Sequence, residues 1–241
     1  LERLEALPNS RFFFLFGDAD ISAQVHAGLS TPLQPTSLVT FSDPVNFPLT
    51  TNTPPSGATT SPTPAPTQTA PVVPKLASLT EIAGAVSDVY WPAPGTADPQ
   101  VLQAVATFAQ GSNPITIVPS GTTSLGATGV AVPAAADVDG SRVLVYDSPT
   151  SAALLKASET VDTVERRTAL ATASAYLALA RTDVGASPLL VSIDRDAARD
   201  SLALHAAILA VTGASGVTPA ALGDLSDAVA AAADVSGAAP D

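Results

Sequence analysis

The chain contains no cysteine and no methionine, only two histidines, and few basic residues. Without cysteine there is no disulfide, no thiolate nucleophile and no cysteine-ligated metal. His26 and His205 lie far apart, each inside a predicted helix, which argues against a zinc centre built on paired histidines. Ten Lys and Arg stand against 22 Asp and Glu, a net charge of −12. That balance excludes the clustered cations that hold a nucleic-acid backbone or an anionic membrane surface. Long apolar runs are missing too. The helical run TALATASAYLALA (Thr168 to Ala180) is bounded by Arg167 and Arg181 and falls short of the roughly 20 residues of a membrane span. The uncharged stretch from Asn113 to Ala136 is broken by Pro and Gly. No G-x-G-x-x-G, G-K-[ST] or G-x-S-x-G motif occurs, so neither a nucleotide cradle nor a nucleophile elbow is expected, and no cofactor is implied. Opening on LERLEAL without an initiating Met, the chain reads as a piece of a longer protein.

What is present is 241 residues with 46% hydrophobic and 13% charged side chains, enough to bury a sizeable core. Half of the 22 prolines fall between Pro32 and Pro74. Within that region, LTTNTPPSGATTSPTPAPTQTAPVVP (Leu49 to Pro74) has no charge, no aromatic and no apolar periodicity. Proline lacks the N–H that helices and sheets use, so residues 49–74 are expected to be a flexible, extended insertion near polyproline II. An O-glycosylated stalk is a compatible reading of its Thr and Ser content.

Elsewhere short apolar runs alternate with capped helical patterns. Strands are expected at Phe12–Phe16, Val86–Trp91, Ile115–Val118, Arg142–Tyr146 and Leu189–Ile193. Asp98-Pro99, Ser148-Pro149 and Thr218-Pro219 each set a capping oxygen before a first-turn proline. Asp162 and Glu165 have capping-box spacing ahead of a long Ala-rich helix reaching Ala180. A further helix, from about Asp196 to Val211, is expected to turn Leu202, Leu209 and neighbouring alanines inward. The pattern predicts one α/β domain over residues 1–241, with a largely parallel sheet and flanking helices. Five units are too few for a closed eight-unit barrel, leaving an open sheet or an incomplete or distorted β/α barrel.

In such architectures a site lies at the carboxyl ends of the strands, where the loops share one side. Asp18 and Asp20 follow the first expected strand, Tyr90 and Trp91 end the second, and Ser120 follows the third. Asp147 ends the fourth, and Asp194, Arg195 and Asp196 follow the fifth. Candidate catalytic residues are therefore Asp18, Asp20, Asp147 and Asp194, with Trp91, Tyr90 and Arg195 as candidate ligand-binding residues. Carboxylates beside the chain's only Trp suit a sugar, because acids hold hydroxyls and an aromatic face stacks on a pyranose. The plainer alternative makes each aspartate a helix cap: Asp18 or Asp20 near Ile21, Asp147 or Ser148 before Pro149, Asp194 or Asp196 for the last helix. Trp91 serves equally as a core seal.

GDAD after the first strand, WP at Trp91 before the Asp98-Pro99 helix, VLVYD ahead of an Ala-rich helix, and LLVSIDRD at the last strand together resemble an actinobacterial family. This family comprises large cell-envelope proteins carrying the domain of unknown function 6049. The resemblance covers roughly Arg11 to Ala210 without the Thr/Pro insertion. It implies a secreted, membrane-anchored full-length protein with an extracytoplasmic α/β region distantly similar to glycoside hydrolase and polysaccharide deacetylase barrels. It supplies no catalytic residues, and the H-x-x-x-H that would complete a deacetylase metal site beside Asp18 and Asp20 is absent. The expectation is an extracytoplasmic envelope domain contacting cell-wall polysaccharide or an envelope protein. The alternative is a carbohydrate-active hydrolase using paired aspartates.

Overall fold

The computed structural model describes residues 10–47, 49–51, 69–76, 78, 82–109, 114–138, 141–195 and 199–225. In chain order the elements are β1 (Arg11–Phe12), α1 (Ile21–His26), β2 (Leu49–Thr51), β3 (Thr69–Pro71), β4 (Ala85–Val86) and β5 (Val89–Tyr90). There follow α2 (Pro99–Phe108), β6 (Ile115–Pro119), β7 (Ala135–Val138), β8 (Ser141–Tyr146), α3 (Ser148–Glu159), α4 (Thr163–Val184) and α5 (Ser201–Thr212). The chain divides into two compact units, Leu1–Leu33 with Gly84–Asp241, and Gln34–Ala83.

The second unit carries two single-turn 3-10 helices, Val39–Phe41 and Pro44–Asn46. Its β2 and β3 pair antiparallel, Leu49 opposite Pro71 and Thr51 opposite Thr69. These strands lie within residues 49–74, the stretch expected to be an extended insertion. A two-stranded ribbon leaves one edge of each strand free, so the missing Pro71 N–H costs little. Residues 52–68 lie outside the described residues.

The main unit is α/β. Its sheet has the order β5-β6-β8-β7, with β5, β6 and β8 parallel and β7 antiparallel at the edge; no closed barrel forms among the described residues. Successive strand residues point to opposite faces. Val89, Ile115, Ile117, Leu144 and Tyr146 therefore share one face and one apolar cluster, joined by Ala134 and Leu225. Val118, Val143 and Val145 occupy the other face and pack on Leu102 of α2. Tyr90 on that face meets Val101 and Val105 of α2 and Ile21 and Val25 of α1. Asp98 caps α2 by accepting the Val101 N–H at 2.8 Å, as its position before Pro99 implied.

The helices α3, α4 and α5 pack through small side chains. Ala153, Ala157, Ala169, Ala173 and Ala207 surround Leu154, with Val191 and Ile193 against them. Asp162 starts α4 by accepting the Val164 and Glu165 N–H groups, and Gly185 ends it at φ 62°, a conformation that disfavours a Cβ.

Several expectations are corrected. The inward side of α5 is Ala203 and Ala207, both fully buried, whereas Leu202 and Leu209 are 72% and 53% exposed. The close approach of three helices admits only methyl groups along that line. Asp200, not Asp194, caps α5 through the Leu202 and Ala203 N–H groups, and Asp196 lies outside the described residues. Thr218 caps nothing at Pro219; helical residues there begin only at 222. The expected strand Val86–Trp91 divides at Asp88, whose φ of 56° turns the chain so that β4 pairs with β1 and β5 with β6. Leu189–Ile193 forms only a parallel bridge, Leu190 to Tyr146, because Pro188 has no N–H and the Ser192 N–H goes to the Ser151 hydroxyl.

Candidate functional site

GDAD assigns each of its residues a different task. Gly17 and Asp18 both take left-handed backbone, at φ 68° and 52°, inside a 3-10 turn closed by the Asp18 N–H on the Leu15 carbonyl at 3.0 Å. Glycine and aspartate tolerate that region best. The turn leaves the Asp18 carboxylate exposed and delivers Asp20 to the N-cap of α1, where it accepts the Ser22 N–H at 2.9 Å.

Asp18 is met by Arg195 from the far end of the sequence. The Arg195 Nε donates to both Asp18 oxygens at 2.8 and 2.7 Å, and its Nη2 donates to the Trp91 carbonyl at 3.2 Å. The guanidinium carbon lies 4.9 Å from the Phe14 ring centroid and 5.2 Å from that of Trp91. The rings continue as a chain: Phe12 to Phe14 at 5.2 Å, Phe14 to Trp91 at 5.9 Å, Trp91 to Tyr146 at 6.2 Å. Burial raises the Tyr146 hydroxyl above its usual pKa, and the Asp194 carboxylate raises it further; the Trp91 indole and the Arg195 charge pull it back. Asp194 accepts the Arg195 backbone N–H at 2.6 Å.

Four segments thus converge at the carboxyl end of the parallel strands: the turn after β1, the residue after β5, the last residue of β8, and the loop after Leu190. Of the candidates, Asp18, Asp194, Trp91 and Arg195 come together. Asp20 does not, being a helix cap. Asp147 is also a cap, buried and accepting the Thr150 N–H at 2.9 Å. It follows Tyr146 directly in extended backbone, so it points to the opposite face. Tyr90 lies in the core between α1 and α2, its hydroxyl pushed up by burial and then by Asp88. Phe14 and Tyr146 belong to the cluster without having been candidates. For Tyr146 the signal was available, since it ends an expected strand in the same position as Trp91.

The cavity between Phe14, Asp18, Ile21 and Trp91 measures about 10 Å³, room for one water. Such an arrangement offers an aromatic edge, two carboxylates and a guanidinium, suited to stacking and hydrogen bonding with a polyol. Among the described residues no three of His, Asp and Glu gather as metal ligands, and no helix is long and apolar enough to cross a membrane.

Comparison with protein-family models, with curated proteins and with solved structures gives no match for this chain.

Proposed function

We propose that the main unit is a glycan-binding, non-catalytic domain of a bacterial cell-envelope protein, acting outside the cytoplasm and tethered through a membrane anchor of the full-length chain. In this reading the sheet and its helices are an incomplete β/α barrel whose carboxyl rim holds a cell-wall polysaccharide. The observation that carries it is the gathering of Trp91, Tyr146, Asp18, Asp194 and Arg195 on one rim. The compartment and anchor rest on the sequence resemblance. We favour a polysaccharide over an envelope protein because the rim sets the Trp91 and Tyr146 rings beside carboxylates and a guanidinium, groups that stack on and hydrogen-bond a sugar.

The chain's only Trp is its own reporter. Titration of the domain with soluble peptidoglycan or arabinogalactan fragments is expected to shift Trp91 emission saturably. Trp91→Phe and Tyr146→Ala should weaken binding at least tenfold in calorimetry. Saturable binding that survives both substitutions, or no binding to any wall fragment, overturns the proposal.

A second reading is a hydrolase in which Asp18 and Asp194 are the working pair. It is favoured by one fact, that these two carboxylates cap no helix among the described residues. Such a pair works across roughly 5–10 Å with a sugar between them. Release of reducing ends from wall glycan, lost in Asp194→Asn, is its test. Intact glycan after prolonged incubation eliminates it.

A further inference from the structure

A second concavity opens on the side of the rim away from Tyr146. A pocket of about 130 Å³ lies between Ser120, the loop around Gly129–Ala131, the start of α3 and the last turns of α4. Its walls are apolar and open: Val130, Tyr176 and Leu179 are 40%, 42% and 63% exposed. Its floor holds Asp147 and Ser120, each 3% exposed.

The polar groups around it are unequally satisfied. The Ser120 hydroxyl accepts the Ser148 N–H at 3.0 Å and donates its proton to the Ser148 hydroxyl at 3.2 Å. Asp183 uses Oδ2 to accept the Ala131 N–H at 3.0 Å. Asp147 uses Oδ2 for Thr150, and its Oδ1 receives no hydrogen bond from the described residues. With Oδ2 held by the α3 cap, Oδ1 remains an acceptor on the pocket wall. The lining includes no Lys, Arg or His. Arg181, on the same stretch of α4, is turned instead to the Ser215 and Gly216 carbonyls at 2.7 and 3.0 Å.

We propose that this pocket binds a primary ammonium group on a short apolar body. The ammonium sits at Asp147 Oδ1 with Asp183 completing its charge. The hydrocarbon lies along Tyr176, Leu179 and Val130, and the phenol ring adds a cation–π contact. An anion is excluded by two carboxylates, and a neutral alcohol lacks the positive charge that two carboxylates with no basic residue in the lining favour. A divalent cation fits poorly, since it needs more oxygen ligands than two carboxylates between apolar walls supply. A cavity of about 150 Å³ takes a benzene ring, which limits this occupant to roughly six to eight non-hydrogen atoms.

The test is an amide-resolved NMR titration of the whole chain with n-butylammonium, 1-butanol and butyrate. The expected result is saturable shifts at Gly121, Ala131 and Thr150, with butylammonium bound at least tenfold more tightly than butanol and no butyrate binding. Asp147→Asn keeps an oxygen for the α3 cap and should bring the two affinities within threefold. Asp183→Asn is exposed and retains the fold; it should weaken the ammonium about threefold. Val130→Trp should block the mouth to both ligands. Asp200→Asn, which removes a charge elsewhere, should change nothing. Nα-acetyl-lysine-N-methylamide distinguishes the source: tighter binding than butylammonium identifies a lysine side chain of a peptide, weaker binding a free amine, and either supports the pocket. Equal affinity for butanol and butylammonium, shifts away from the pocket, or full ammonium preference in a folded Asp147→Asn overturns it. The proposal is independent of glycan binding at Trp91, and neither outcome decides the other.

Discussion

Replacing Arg195 by Ala removes a side chain that ties the turn after β1, the end of β5 and the loop after Leu190 together. Its ion pair with Asp18 is partly solvated, the two side chains being 25% and 43% exposed, and such pairs contribute about 0.2–1 kcal/mol. The hydrogen bond to the Trp91 carbonyl adds on the order of 1 kcal/mol at this burial. Contacts over Phe14 and Trp91 contribute about 0.5–1 kcal/mol. Holding the long side chain still costs up to about 2 kcal/mol of entropy, which the substitution returns. The expected net loss is therefore about 1 kcal/mol for Arg195→Ala. In a double-mutant cycle with Asp18→Ala the coupling should be about 0.5–1 kcal/mol. Arg195→Lys should recover less than half, because an ammonium cannot serve Asp18 and the Trp91 carbonyl at once. Urea unfolding followed by Trp91 emission measures all of these, and the native-state emission should itself change when the cation leaves the indole. No loss of stability in Arg195→Ala, with unaltered emission, would refute the view that this residue holds the rim.

Three further outcomes follow from packing and capping. Asp20→Ala and Asp200→Ala should each cost about 1 kcal/mol in urea midpoint, and Asp147→Ala up to about 2 kcal/mol because its cap is buried. Ala207→Leu should cost about 1–3 kcal/mol by overpacking the line between α3 and α5, while Leu209→Ala stays within about 0.5 kcal/mol. The Tyr146 and Tyr90 hydroxyls are raised above 10.0 in the fold by burial first, with Asp194 and Asp88 adding to it. The folded state thus holds their protons more tightly than the unfolded chain. Stability from this source is full below about pH 10 and is lost as pH climbs through the raised folded values. Urea midpoints between pH 9 and 11 should fall less steeply in Tyr146→Phe than in wild type.

Local chemistry was the most legible part of the sequence. Asp98 and Asp162 start their helices as read, because a capping oxygen and the amides it serves are near neighbours in the chain. Ile115–Pro119 and Ser141–Tyr146 announce themselves by β-branched density. What stayed hidden depends on partners. The AADV of β7 has little strand propensity and pairs because β8 lies beside it. The leucines of α5 looked like its buried side, yet the spacing of three packed helices selected alanine. The rim was half legible: its location followed from strand direction, but membership depended on which way each terminal residue points. Asp147 was lost to that alternation and Tyr146 gained by it. The link between Asp18 and Arg195, 177 residues apart, has no local trace.

Tyr146 and Asp147 are neighbours in the chain that serve opposite sides of the sheet. Only the thickness of one backbone separates an aromatic ledge from an acidic hollow, and strand periodicity alone decides which chamber receives which group. A slip of one residue in the pairing of β8 would exchange phenol for carboxylate, disrupting the ledge and the hollow in a single error. The tight register of Ile115 to Arg142 through Pro119 to Tyr146 therefore guards two chemistries at once.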